Sequence, residues 1–343
     1  MAIPIEVPTG AIRYNTDSNK MECFNGTKWM QVAVSSPDLN GGARVIIAGG
    51  GASPVAESTI NYNIIEFITS TTSGNAIDFG DLISDSRVTS ENACASNTRG
   101  LVGGGGQSNV IQYITIASAG NSQDFGDLAA HPDVMMQGQG FSNQTRGIFA
   151  GGYGPQPSIV NVISYVTIAQ QGNAIDGGDL IDDTRGGATY ASPTRGIIHA
   201  GRFSNPVGVI NVIQYITIAS AGNAQDFGDA TVKKDFNAGG SNATRGIVFG
   251  GRENPTPSSI IEFSEIATLG NAVDFGDLSS ARDEMGGAAA GTRAFTLGGN
   301  SSTPALNTIE YVTITTTGNS VDFGDLTATR YHCAGLSNGH GGL

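Results

Sequence analysis

The 343-residue chain carries 30 acidic and 17 basic side chains, a net charge of −13, and charged residues make up only 14% of it. That acidic balance argues against a protein that tracks nucleic-acid phosphates or an anionic membrane surface. Its 50 glycines show no every-third-residue period, which excludes collagen, and β-branched and aromatic runs supply a core that a disordered chain lacks. In chain order, GAIRYN (10–15), MECFN (21–25) and WMQVAV (29–34) read as three short strands joined by turns at 16–20 and at Asn25–Lys28. A meander this small buries little, so residues 1–42 are expected to anchor or oligomerise the chain. The first residues have neither a charged leader nor an apolar stretch, which predicts synthesis in the cytoplasm without a standard export signal and no membrane insertion. Cys23, Cys94 and Cys333 have no metal-ligand spacing and are expected as free thiols.

From residue 43 onward one phrase recurs six times: GNAIDFGDL from Gly74, GNSQDFGDL from Gly120, GNAIDGGDL from Gly172, GNAQDFGDA from Gly222, GNAVDFGDL from Gly270 and GNSVDFGDL from Gly318. The intervals are 46 to 52 residues, a period that signals copies of one supersecondary unit. Each copy reads as four strands: a TRG-led run such as GIFAGG (147–152), a β-branched run such as NVIQYITIAS (109–118 and again 211–220), the DFGDL piece, and a small-residue segment such as CAGLSN (333–338). No apolar run keeps helical spacing over a useful length. The expectation is therefore an all-β chain, with four strands per repeat forming the blade of a propeller.

The double glycines, as in Gly151-Gly152 and Gly298-Gly299, followed by Tyr113, Tyr165, Tyr215 and Tyr311 on the next strand, resemble kelch repeats. Arg87, Arg185, Arg282 and Arg330 are similar to the kelch arginine, while copies two and four offer His131 and Lys233 or Lys234. The resemblance covers about residues 43–343 and implies a six-bladed kelch-like β-propeller. The array opens on a second strand and ends on a first strand, so the C-terminal strand is expected to complete the first blade and remove open sheet edges. The phrase PTGAIRYNTDSNKMECFNGTKW resembles a module of bacteriophage tail-fibre and related virion proteins. The repeats look like kelch-like arrays of marine and cyanobacterial phages.

Candidate chemistry divides into scaffold and loops. The arginines of the TRG step, Arg99, Arg146, Arg195, Arg245 and Arg293, are expected to form ion pairs with Asp78, Asp124, Asp176, Asp226, Asp274 and Asp322 of the repeated phrase; a ring of arginines for a carboxylate ligand is the alternative. DFG lacks the glycine-rich nucleotide loop and HRD segment of a kinase, and the four histidines fall in different repeats, so no metal, cofactor or catalytic residue is predicted. The loops after the double glycine vary while their strands do not, and variable loops on a rigid scaffold carry recognition. Tyr153, Arg202, Phe203, Arg252, Glu253 and Asn254 are the ligand-binding candidates.

Together these readings predict a non-enzymatic virion protein. Residues 1–42 would attach it to other virion proteins or to further copies of itself, a trimer being one form. Residues 43–343 would display a propeller that binds a host-surface glycan or protein, with weak contacts summed by multivalency. A purely structural decoration or connector protein is the main alternative, and a kelch-type carbohydrate-active enzyme the second.

Overall fold

A computed structural model describes residues 7–15, 20–31, 43–55, 58–83, 92–105, 108–129, 137–153, 159–204, 207–301 and 305–343. Among these residues there is no helix. The chain divides into two units, Met1–Gly42 and Ala43–Leu343.

The smaller unit is an antiparallel sheet of Ile12–Asn15, Lys20–Phe24 and Trp29–Gln31. The second turn forms as its sequence requires: the Asn25 side chain accepts from the amides of Thr27 and Lys28, and Gly26 takes φ +95°. The first turn and the stretch 32–34 lie outside the described residues. Register pairs Ile12 with Cys23, Cys23 with Met30, and Tyr14 with Met21. Residues paired across antiparallel strands share a face, so one face of this sheet is apolar. Ile12 (64%), Tyr14 (57%), Met21 (43%) and Met30 (46%) are exposed on it. The opposite face satisfies itself: Arg13 pairs with Glu22 at 2.8 Å and lies over Trp29 at 4.2 Å.

The larger unit contains six four-stranded antiparallel sheets. Sheet I is Ala334–Ser337, Arg44–Ala48, Ile64–Thr69, Ile77–Asp81; sheet II is Ala93–Ala95, Arg99–Gly103, Val110–Thr115, Gln123–Asp127. Sheet III is Gln139–Ser142, Arg146–Ala150, Val162–Thr167, Ile175–Asp179; sheet IV is Ala188–Ala191, Arg195–Ser204, Val207–Thr217, Gln225–Asp229. Sheet V is Ala238–Ser241, Arg245–Phe249, Ser258–Glu265, Val273–Arg282; sheet VI is Gly286–Ala290, Arg293–Leu297, Thr308–Thr313, Val321–Asp325. In every sheet the spatial order is the order given, here termed strands a to d. Sheet I alone draws strand a from the C-terminal end, pairing Ala334 with Ala48 and Ser337 with Val45.

Six hydrophobic clusters hold this unit together, one between each pair of successive sheets. Between I and II, for example, Ile46, Ile65, Phe79 and Leu82 meet Val102, Ile114 and Ile116. Each fully buried Ile or Phe contributes roughly 1.5–3 kcal/mol. The phenylalanine of DFGD is buried edge-on against the aromatic of strand c, as Phe125 on Tyr113 at 6.2 Å and Phe275 on Phe263 at 5.9 Å. The a strands neighbour one another in the order I to VI, and VI also neighbours I. Small residues make this close approach possible: a Cβ on Gly140 would lie 2.5 Å from the Ala93 backbone.

The repeated phrase joins each sheet to the next. The Gly amide of GN donates to the carbonyl of the residue before the DFGD glycine in the preceding copy, at 2.6–2.9 Å, from Gly120 to Phe79 round to Gly74 to Phe323. The Asn side chain then accepts from the last Asp amide of that copy at 3.0–3.1 Å, from Asn121 and Asp81 round to Asn75 and Asp325. Glycine is required within DFGD because a Cβ on Gly276, at φ +155°, would sit 2.4 Å from the Gly318 carbonyl oxygen.

Candidate functional site

Two layers of charge lie beside the double glycines, and the repeat separates them. The amides of Gly152, Gly201, Gly251 and Gly299 donate at 2.8–3.0 Å to the carbonyls of Thr184, Lys234, Arg282 and Arg330. Those four residues are therefore equivalent. Their side chains point into the sheet interfaces and are fully buried. Lys234 pairs with Glu262 at 2.5 Å, Arg282 with Glu310, and Arg330 with Glu66. Opposite Thr184, the corresponding strand c residue is Gln214, which accepts from the Ile181 amide at 3.0 Å. Acid and base thus occur together or not at all at these four interfaces, because an unpaired buried charge is costly. Burial alone would push Glu262 up, but the charges of Lys234 and His199 outweigh it and hold it well below the ordinary carboxylate range.

This alignment shifts one residue of the sequence reading and decides between two others. In the third copy the residue equivalent to Arg282 and Arg330 is Thr184, and Arg185 falls one step later. In the fourth copy the residue is Lys234, while Lys233 is exposed. Arg87 and His131 lie outside the described residues.

The residue one step after the buried position pairs with the loop that follows the double glycine; Arg185 is half-buried there, while Asp235 and Asp283 are buried. Arg185 exchanges backbone hydrogen bonds with Arg202, Asp235 with Arg252, and Asp283 with Asn300. One residue further on, Gln137, Gly186, Phe236, Glu284 and His332 all take φ between +53° and +62°. Their backbones form a chain from sheet to sheet: the Gly186 amide donates to Gln137, Phe236 to Gly186, Glu284 to Phe236 and His332 to Glu284, at 2.6–3.0 Å. Four of the five are not glycine, and a left-handed conformation costs each of them on the order of 1–2 kcal/mol.

Side chains converge on this collar. Arg202 pairs with Asp235 at 2.6 Å, and Arg252 reaches Asp235, Asp283 and Glu284 at 3.5, 3.6 and 3.7 Å. Arg252 also lies over Phe236 at 4.4 Å, and His332 stands 3.3 Å from Glu284 and 5.6 Å from the Phe236 ring. Arg185 sits between the rings of Tyr153 (5.1 Å) and Phe236 (5.9 Å) and donates to Gln137. Burial, then the charges of Arg202 and Arg252, lower its affinity for its proton. Asp283 is pushed up to about 7 by burial and by the neighbouring charge of Glu284.

Of the six loop residues singled out in the sequence, Tyr153, Arg202 and Arg252 come together here. Glu253 and Asn254 are exposed, with the Glu253 amide bonded to the Thr256 carbonyl and its carboxylate accepting from Ser258. Half-buried Phe203 lies opposite Gly208 on the hairpin extension of sheet IV. Arg185, Asp235, Phe236, Asp283, Glu284 and His332 were missed. Part of their signal was available in two adjacent columns of the repeat: the second carries a different residue in each described copy, while the first repeats only Asp, at Asp235 and Asp283.

The expected scaffold ion pairs are replaced by another device. Arg99, Arg146, Arg195, Arg245 and Arg293, with Arg44 in sheet I, lie over the strand c aromatic at 4.3–5.0 Å. Each donates to a backbone carbonyl of the next sheet at 2.8–3.3 Å, from Arg44 to Ile116 round to Arg293 to Ser70. Asp78, Asp124, Asp176, Asp226, Asp274 and Asp322 lie on strand d, one strand farther out, and are exposed. Among the TRG arginines only Arg245 has a carboxylate partner within the described residues, Glu265 at 2.6 Å.

At the other ends of the a strands the chain's last residues cross the series. His340 donates from Nε2 to the Ala95 carbonyl at 2.7 Å and accepts at Nδ1 from Gly342, while Gly339 accepts from the Gly291 amide. A Cβ on Gly342 would fall 1.9 Å from the Ser142 oxygen, so only glycine threads there. The cavity lined by all six a strands and His340 holds about 50 Å³, room for water but not for a sugar. Cys23, Cys94 and Cys333 form no disulfide, and burial pushes the Cys94 thiol up. No group of three or more His, Cys, Asp or Glu side chains among the described residues is placed to hold a metal ion. Comparison with protein-family models and with curated proteins finds no match to this chain.

Proposed function

We propose that residues 43–343 form a six-bladed, kelch-like β-propeller that serves as a recognition domain, and that residues 1–42 attach it to a virion. The cyclic order of the a strands and the sixfold clasp that links Asp325 back to Asn75 support the propeller reading. The collar supports the recognition reading. There the described copies share backbone geometry yet carry different charged and aromatic side chains, and strain kept at non-glycine positions is a mark of functional sites. A binding role is favoured over catalysis because its arginines, acids and rings suit complementarity to a surface, and no sequence motif for nucleophile or base accompanies them. The tail-fibre-like phrase of residues 8–29 supports the virion setting, and the exposed apolar face of the small sheet supports attachment.

Labelled full-length protein should bind marine cyanobacterial cells, and an Arg252→Glu variant with an unchanged melting temperature should not. Absence of binding across a panel of such cells, with normal incorporation of the protein into particles, overturns the host-recognition reading. It would favour a decoration protein that binds other virion proteins.

A further inference from the structure

Arg185 is the unusual member of the collar. Its guanidinium is half-buried between Tyr153 and Phe236, close enough to Arg202 and Arg252 to feel both charges, with the charge of Asp235 opposing them from beyond ion-pair distance. Among the described residues no carboxylate lies within ion-pair reach of it. Asp235 is held by Arg202 at 2.6 Å, and Glu284 is shared between Arg252 and His332. Among the described residues its buried Nε has no hydrogen-bond partner, and the one side chain that accepts from its guanidinium is the neutral Gln137 amide. Among the described residues every fully buried cation of the adjacent layer, Lys234, Arg282 and Arg330, has its acid, so this fork stands out. A cation with no carboxylate within ion-pair reach among the described residues, in a partly dry site, favours an anion, and a planar fork favours a carboxylate.

The surroundings narrow the ligand further. Three acids stand around the cluster, which disfavours a doubly charged phosphate but tolerates a single negative charge placed against Arg185. Half-buried Tyr153 offers a ring for the C–H face of a sugar, and Glu284 offers an acceptor for hydroxyl groups. We propose that the collar binds a carboxylate-bearing sugar, of the uronic or sialic acid type, with its carboxylate on Arg185 and its ring against Tyr153. This rests on the recognition reading above and names the ligand class of the same site.

The test is calorimetric titration of the full-length protein with trigalacturonate and with 3′-sialyllactose, each beside its methyl ester. At least one acid should bind about tenfold or more tightly than its ester, as the loss of a charge-assisted pair implies. Arg185→Gln should lose a similar factor, and Arg185→Lys should recover only part of it because the fork is gone. If Arg185→Gln fails to fold, as judged by its melting curve, Tyr153→Ala carries the same expectation for the acid. Equal binding of acid and ester, binding of neither acid, or full affinity in the Arg185→Gln protein overturns the proposal. Cells bound in a chain that ignores both acids would overturn this ligand class alone and leave host recognition standing; failure to bind cells would overturn the recognition reading itself.

Discussion

The clasp formed by the repeated phrase and the collar beside the double glycines use the same sixfold framework for opposite ends. In the clasp, backbone and side chain recur together: the same glycine and the same Asn appear at every interface, the same Phe in every copy but the third, where Gly177 stands, and the bonds agree within a few tenths of an ångström. In the collar only the backbone recurs. Gln137, Gly186, Phe236, Glu284 and His332 share a left-handed conformation and a hydrogen-bonding role while differing in size, charge and aromaticity. Repetition of the residue therefore marks what closes the sheets against one another. Repetition of the geometry alone marks where the chain can vary its chemistry without disturbing the frame.

The buried layer between these two regions should be the most sensitive. Glu262→Ala strands Lys234 and His199 without their acid, and is expected to cost about 3–5 kcal/mol in urea unfolding. The double change Lys234→Thr with Glu262→Gln rebuilds the Thr184 and Gln214 arrangement found one repeat earlier, and should restore all but about 1 kcal/mol. A double variant as unstable as the single one would break the rule that acid and base come and go together. The clasp comes next. Gly276→Ala drives a Cβ onto the Gly318 carbonyl and should cost about 2–4 kcal/mol, whereas Gly318→Ala, with nothing within 4 Å of its Cβ, should cost about 1 kcal/mol or less from its φ of +154°. Equal losses would mean that close approach is not what glycine serves there.

The repeat period made four strands per copy, their order and the strand exchange at Ala334–Ser337 legible, because β-branched runs and Gly-Asn turns are local signals that six copies reinforce. The partners of the TRG arginines were not legible. Sequence shows an arginine and an aspartate recurring at fixed distance, but the guanidinium lies over the ring of the intervening strand and bonds a carbonyl of another sheet, a choice made by register. The collar was half legible. Tyr153, Arg202 and Arg252 stood out in variable loops, but Arg185 was matched to the kelch arginine through a one-residue shift. The hydrogen bond from Gly152 to Thr184 reveals that shift.

The smallest expected effect sharpens the comparison most, since it separates the collar from the rest by pH alone. Unfolded, the Asp283 carboxyl releases its proton near 3.8; folded, burial and Glu284 hold that proton until about 7. Between those values the folded state binds more protons, so this group's contribution is complete below about pH 4 and is lost as pH rises through 7. Arg252, at 3.6 Å, opposes the shift, and Asp235 adds to it. Asparagine copies the neutral acid and removes the titration. Asp283→Asn should therefore melt with the parent protein at pH 4 and roughly 2–5 °C above it at pH 8. Glu262 and Glu310, both held low, lose their contributions in the opposite direction, as pH falls through the acid range, and do so equally in both proteins. A melting difference that stays flat from pH 4 to 8 would mean that Asp283 is charged throughout, and that the collar presents one more fixed negative charge to whatever it binds.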